Sequence, residues 1–285
     1  MTFYAVVCGG DRSWPVPALS NDVLDTFEDL VGPDRSATLP SDATHVLLVC
    51  RTEWGPAMRR LATLLKAHDE ALNVSVLETD TMPLGAAVVA EHVNALAVEP
   101  GHAARELRRL LGTVRSVVWV RRPGKVNGAR PKWWEVIRSW WSPDGALAEG
   151  ESPIGIERAQ VERWAELFKG ATSVHRSGEV PPRPAAVIQP YVGGERVWGR
   201  DVSRGARAIT GKQPSFEVAT FTPTDAVSAE ETTECSGCGA SVVDFCPFCH
   251  AAWGLGATVV HTSTTTPATP IDDKDLQPVN ESELR

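Results

Sequence analysis

The feature that most restricts what this chain can fold into is a series of short apolar runs separated by helical stretches. Thr2–Val7, His45–Cys50 (HVLLVC), Asn73–Glu78 and Val114–Arg121 (VRSVVWVR) read as continuous apolar strands. The segments between them have helical spacing. Ser20–Val31 is capped by Ser20 or Asn21 and stopped by Gly32-Pro33. After Gly55-Pro56, Met58, Leu61, Leu65 and Leu72 recur on one face, and Pro56 suits a first turn because its missing N–H is not needed there. Leu84–Leu96 and Ala103–Leu111 supply two more helices. Apolar strands alternating with helices imply a parallel sheet covered on both faces, so residues 1–122 are expected to form a Rossmann-like α/β domain.

In such a sheet the binding crevice lies beyond the carboxyl ends of the strands. There the sequence places Gly9, Gly10, Asp11, Arg12 and Ser13 after the first strand and Thr52 after the second. Two glycines allow a ligand close to the backbone, and Arg12, Ser13 and Thr52 can donate to phosphate or ribose oxygens. Neither G-x-G-x-x-G nor G-x-x-x-x-G-K-[ST] occurs, so a tight turn is the other reading of this loop. Cys8 and Cys50 end the first two strands and read as buried thiols.

Beyond residue 122 the rhythm changes. Trp133, Ile137, Trp140 and Trp141 share one face of a helix over Lys132–Trp141, and Val161, Trp164, Ala165 and Phe168 share one face of a helix over Glu157–Lys169. Ala186–Val192 and Glu195–Gly199 flank Gly193-Gly194, the signature of a two-residue hairpin. Residues 123–221 are therefore expected to be a smaller α+β region, an element order that a winged helix also has. Residues 222–233 read as a linker and 262–285 as a disordered acidic tail.

Four cysteines carry the most specific chemistry. Cys235-Ser-Gly-Cys238 and Cys246-Pro-Phe-Cys249 form C-x2-C-x7-C-x2-C, in which each pair turns two thiolates toward one tetrahedral ion. Cys235–Gly239 and Phe245–Cys249 resemble the knuckles of the short zinc-ribbon family, C-x-x-C-G and F-C-P-x-C. That resemblance implies a zinc ribbon over residues 234–254 holding structural Zn2+ and docking a protein partner. The rival, c-type haem at Cys246-Pro-Phe-Cys249-His250, would leave Cys235 and Cys238 idle and would need an export signal, which is not seen. No apolar run approaches the ~20 residues of a membrane span, so a cytoplasmic protein is expected.

Charge is segmented: residues 1–100, 101–212 and 213–285 carry net charges of −8, +9 and −9. Arg121, Arg122, Lys125, Arg130 and Lys132 crowd one stretch without an acid, an arrangement that neutralises phosphates or simply solvates a loop. Trp133 and Trp134 could stack on bases, although tryptophans at helical spacing more often pack inside. Neither H-E-x-x-H nor G-x-S-x-G is present; Glu53, Glu78 and Asp80 lie near strand ends, where they could bind a metal, act as a base or cap.

The stretch Thr44–Ala95, with HVLLVCRTE ending at Thr52 and its neighbours and VSVLETD following, resembles the CRISPR-associated Rossmann-fold sensors, as does the Gly9-Gly10 loop. The resemblance implies a cyclic oligonucleotide at the strand ends and a homodimer. The T-G-G-T-K loop of many such sensors is missing, and Arg122–Arg130 would have to replace it. The sequence is thus read as a non-catalytic nucleotide- or nucleic-acid-binding sensor or adaptor. A metal-dependent nuclease or nucleotide hydrolase and an assembly scaffold are the alternatives.

Overall fold

A computed structural model describes residues 2–8, 42–96, 98–127, 145–150, 154–191, 195–199, 202, 204–211, 213–223, 233–242 and 245–249. Strands β1 (Thr2–Val7), β2 (Ala43–Arg51) and β3 (Asn73–Thr79) form a parallel sheet in the order β1-β2-β3. Helix α1 (Gly55–His68) covers one face, burying Met58, Leu61 and Leu65 against Val46, Leu48 and Val74. Cys8 and Cys50 lie in this same layer; burial, then the neighbouring Cys50, pushes the Cys8 thiol up, and burial with Glu78 pushes Cys50 up to about 12. Both are inert thiols at neutral pH.

The opposite face carries α2 (Pro83–Ala95) and α3 (Pro100–Leu111). Every residue of Pro83–Ala90 is buried, because α2 lies between this sheet and a second one. A helix apolar all round needs neighbours on every side. Asn94 of α2 also closes the edge of β1: its side chain accepts from Ala5 N (2.8 Å) and donates to Ala5 O (3.0 Å).

The second sheet overturns the expected Rossmann-like architecture. β4 (Arg115–Val120) does not extend the parallel sheet. With β5 (Ala146–Glu149), β6 (Gly155–Arg158), β7 (Ser173–Ser177), β8 (Arg196–Gly199) and β9 (Ser215–Phe221) it forms a six-stranded mixed sheet, β6-β5-β4-β9-β7-β8. Neighbours pair antiparallel except β7 with β8. The physical reason is plain in β4: Val118 and Val120 pack in one layer, Val117 and Trp119 in another. A strand buried on both faces reads as continuously apolar in either kind of sheet.

The winged-helix and hairpin readings fail as well. Pro182–Ile188 is a helix, α5, followed by a 3-10 turn at Gln189–Tyr191, and β8 then lies parallel to β7. Pro182 presets the first turn, which outweighs the apolar start of the expected strand Ala186–Val192. Helix α4 is Val161–Phe168, shorter than expected because Glu157 belongs to β6; α6 is Arg204–Thr210. Trp119, Trp164 and Phe216 stack within the sheet's core, with centroid separations of 5.4 and 6.0 Å. The expected helices at 20–31 and 132–141, residues 224–232 of the expected 222–233 linker, and the 262–285 tail lie outside the described residues.

Candidate functional site

The four predicted cysteines come together. The turn after Cys235 is closed by Gly239 N donating to Cys235 O (2.7 Å), and Gly239 has φ of 73°, a conformation that side chains rarely adopt. β10 (Thr233–Glu234) and β11 (Ser241–Val242) pair antiparallel beside it. The four Sγ atoms all lie within 4.8 Å of one another, with Cys235–Cys249 at 3.1 Å and Cys238–Cys246 at 3.3 Å. A tetrahedral ion with ~2.3 Å metal–sulfur bonds needs edges of about 3.8 Å, which this set brackets. The cysteines could hold a metal ion. Burial opposes ionisation of Cys235, yet hydrogen bonds from Cys249 and from the Gly237 and Cys238 N–H groups bring its thiol down to about 7. Burial pushes Cys238 and Cys246 up.

This segment is seated on the first sheet. Phe248 is 1% exposed and meets Phe3 and His45 edge-on at 6.4 and 4.8 Å. His45 Nε2 lies 3.1 Å from Cys238 O, which can only accept, so Nε2 carries the proton and Nδ1 accepts from Thr44 Oγ1 (3.0 Å). Burial lowers the pKa of this imidazole. Gly101, in the first turn of α3, touches the backbone of Ser241 so closely that a Cβ there would meet Ser241 O.

A second feature lies where the sheets meet. Beyond the carboxyl end of β3 is a crevice of about 410 Å³ lined by Thr81, Met82, Arg115, Ser116, Glu149 and Arg163, among others. Thr79 Oγ1 donates to Thr81 Oγ1 (2.8 Å), which donates to Leu111 O (3.2 Å). Met82 N donates to Ser116 Oγ (3.2 Å), so the Ser116 hydroxyl proton remains as a donor. Arg115 Nη1 donates to Glu166 O (2.8 Å). Arg163 pairs with Glu149, Glu157 and Glu166; burial works against its charge, but these carboxylates raise its pKa further. Arg163 thus screens Glu149 and Glu166 of the wall, while Asp80, a third carboxylate of the lining, accepts from Thr52 Oγ1 (2.9 Å). Arg51, 3% exposed, braces the neighbouring loop by donating to Glu53 Oε1 (2.7 Å) and Asp80 O (2.9 Å).

Of the remaining predicted residues Asp80 lines the crevice, and the others do not join it. Gly9, Gly10, Asp11, Arg12, Ser13, Arg130 and Lys132 lie outside the described residues. Thr52 donates to Asp80 Oδ1 (2.9 Å), Glu53 pairs with Arg51, and Glu78 with Arg59. Arg121, Arg122 and Lys125 are exposed, but their backbone is not a free strap: Pro123–Lys125 is a 3-10 turn, Val126 is buried beside Ile209, and Asn127 N donates to Ile209 O (2.7 Å). Arg115, Ser116 and Thr81 were missed because they belong to no motif; the one available signal was Thr81 at a strand's carboxyl end, the place already noted for Thr52.

No family model matches the sequence. No curated protein matches it. Solved structures do. A DegV family protein from Corynebacterium glutamicum superposes with a TM-score of 0.52 at 11% identity, covering 80% of this chain and 99% of that one. The Streptococcus pneumoniae fatty acid kinase B3 protein, loaded with linoleic acid, gives 0.54 at 10% identity over 78% of this chain and 100% of that one. A fatty-acid-binding DegV family protein from Thermus thermophilus gives 0.52 at 13% identity, again covering 78% and 100%. The likeness is one of fold. It overturns the nucleotide- or nucleic-acid-binding sensor and adaptor reading, the nuclease alternative, the phosphate partners of Arg121, Arg122, Lys125, Arg130 and Lys132, and the partners inferred for the cysteine segment: solved chains of this architecture carry fatty acids. These neighbours have no bearing on the zinc-ribbon or CRISPR-associated resemblances. Among the described residues no helix is long and apolar enough to cross a membrane.

Proposed function

We propose that this chain is a non-catalytic binder of a long-chain fatty acid, whose carboxylate sits in the crevice between the two sheets. The observation that carries this reading is the crevice of about 410 Å³ beyond β3, in a fold whose solved relatives are loaded with such acids. That volume is within the ~300–1,000 Å³ typical of small-molecule sites. Ser116 and Arg115 supply donors for the carboxylate, Thr81 holds the rim, and Met82, Val114, Val117 and Leu167 give the crevice apolar wall for the start of the tail. The four cysteines hold structural Zn2+, since four thiolates leave no open position for a substrate.

Solvent extraction of denatured protein followed by mass spectrometry is expected to release a fatty acid. Arg115→Gln and Ser116→Ala are each expected to weaken displacement of a fluorescent fatty acid by about tenfold, the size of one charge-assisted hydrogen bond. Protein that yields no fatty acid and binds none at micromolar concentration overturns the reading. Elemental analysis is expected to find one zinc per chain, lost in Cys246→Ser.

A further inference from the structure

The cysteine segment does more than cover the first sheet. Between it, α3 and β3 lies a separate cavity of about 240 Å³. Its floor is apolar, formed by Leu47, Leu77 and Val242. Ser75 of β3 is 6% exposed and belongs to the lining. His102 Nε2 is a buried nitrogen with no hydrogen-bond partner. Arg105 and Arg108 follow at three-residue intervals along the same face of α3, exposed at the mouth. Among the described residues the lining contains no carboxylate.

Buried polar atoms are ordinarily paired, and an orphan nitrogen facing a cavity is an unfilled demand for a partner. The sign of that partner follows from the surroundings. Two guanidiniums at the mouth and a hydroxyl and an imidazole within favour an anion, and an ammonium would meet no acid. The floor of leucine and valine asks for hydrocarbon beside the anion. The volume, well below that of the crevice between the sheets, limits the hydrocarbon to a short chain.

We infer that this cavity is a second binding site, for a carboxylate bearing a short apolar tail, and that the cysteine segment is one of its walls. The carboxylate lies between Ser75, His102 and the two arginines, and its tail lies on Leu47 and Leu77. Ser241, Val242, Phe245 and Pro247 close the site from the side of the cysteines, so it is complete only while the cysteine segment is folded. This last dependence rests on the structural metal proposed above. The site itself does not rest on the long-chain acid proposed for the other crevice.

Octanoate, octylamine and octanol titrated into the full metal-loaded chain by calorimetry test the inference. Octanoate is expected to bind, octylamine to give no heat, and octanol to bind more weakly than octanoate. Arg105→Gln/Arg108→Gln is expected to lower octanoate affinity by about tenfold or more. Both arginines are exposed, so the double variant leaves the core intact. The nitrogen resonance of the His102 ring is expected to shift with octanoate in the parent chain, which reports occupancy without any substitution. Ser116→Ala, in the crevice between the sheets, leaves octanoate binding unchanged while weakening the long-chain acid, so the two readings fail separately. Equal binding of octylamine and octanoate, or a His102 signal that ignores octanoate, overturns the site. Undiminished octanoate binding after removal of the metal overturns the role of the cysteine segment as its wall.

Discussion

Stripping the metal from the four cysteines is expected to destabilise the first sheet, not merely loosen a surface loop. The magnitude follows from what the segment buries. Phe248 is 1% exposed, Val242 3% and Ala240 0%, all in the layer that contains Phe3, Leu47 and α3. Full burial of a Phe or Val side chain is worth roughly 1.5–3 kcal/mol, so Phe248 and Val242 together contribute about 3–6 kcal/mol. Four thiols released from an ion cannot hold the two turns closed, because the short β10–β11 pair is only two residues per strand. At ~2–4 °C per kcal/mol for a domain of this size, losing that burial lowers Tm by about 6 °C or more. Differential scanning fluorimetry before and after dipicolinate treatment, with released metal followed by a metallochromic indicator, reads both quantities. Complete metal release with Tm unchanged within about 1 °C would refute the reasoning, because the anchoring of Phe248 would then not depend on the ion.

Three further outcomes are expected. Gly101→Val drives a side chain onto the Ser241 backbone, so the cysteine segment lifts from α3; metal transfer to a chelator is expected to accelerate while the far-UV spectrum stays unchanged. Glu217 is fully buried in β9 and accepts from Leu84 N (3.2 Å) at the start of α2, so Glu217→Ala strands a buried donor between the layers and is expected to cost about 2–3 kcal/mol in urea denaturation, with Glu217→Gln costing less. His175 accepts from Trp198 Nε1 (3.0 Å) through Nδ1 and lies 3.1 Å from Ser173 Oγ through Nε2, and burial followed by the charge of Arg196 lowers its pKa below the ordinary 6.5. The unfolded chain then takes up its proton first as pH falls, so the neutral ring's contribution is complete above pH 6.5 and is lost through the lowered folded value; urea midpoints are expected to fall with acidification in the parent and less steeply in His175→Phe.

What was legible in the sequence follows from how local each signal is. The cysteine spacing specified a cluster because two C-x2-C turns and a short connection leave few other geometries, and Gly239 marked the positive φ that closes the first turn. The start of helix α1 was legible in Gly55-Pro56 and its buried face in Met58, Leu61 and Leu65, although the stripe was carried on to Leu72, beyond the helix's end at His68. For α2 the same reading found a helix but not its meaning. PLGAAVVA has no polar face, and a helix without one is placed between two layers and not on the outside of one. Taken seriously, that composition already excluded a helix covering a single sheet from solvent.

The failure at β4 has the same root. Its Val117–Val120 run is buried on both faces, and burial on both faces is all that continuous apolarity reports. Whether the strand joins β1–β3 or starts another sheet depends on α2 and α3, which intervene and fill the face where a fourth parallel strand's covering helix would lie. Once α2 needs a second apolar surface, β4 and β9 are the strands that provide it, and Glu217 of β9 supplies the acceptor for the N–H of Leu84. The crevice beyond β3 is a consequence of that arrangement. Gly85 lets α2 approach Ser116, where a Cβ would stand 2.5 Å from the hydroxyl oxygen, and this contact sets β4's first residues beside Thr81 and Met82. Residues with no motif, Arg115 and Ser116, thus reach the crevice because a helix had to be covered twice.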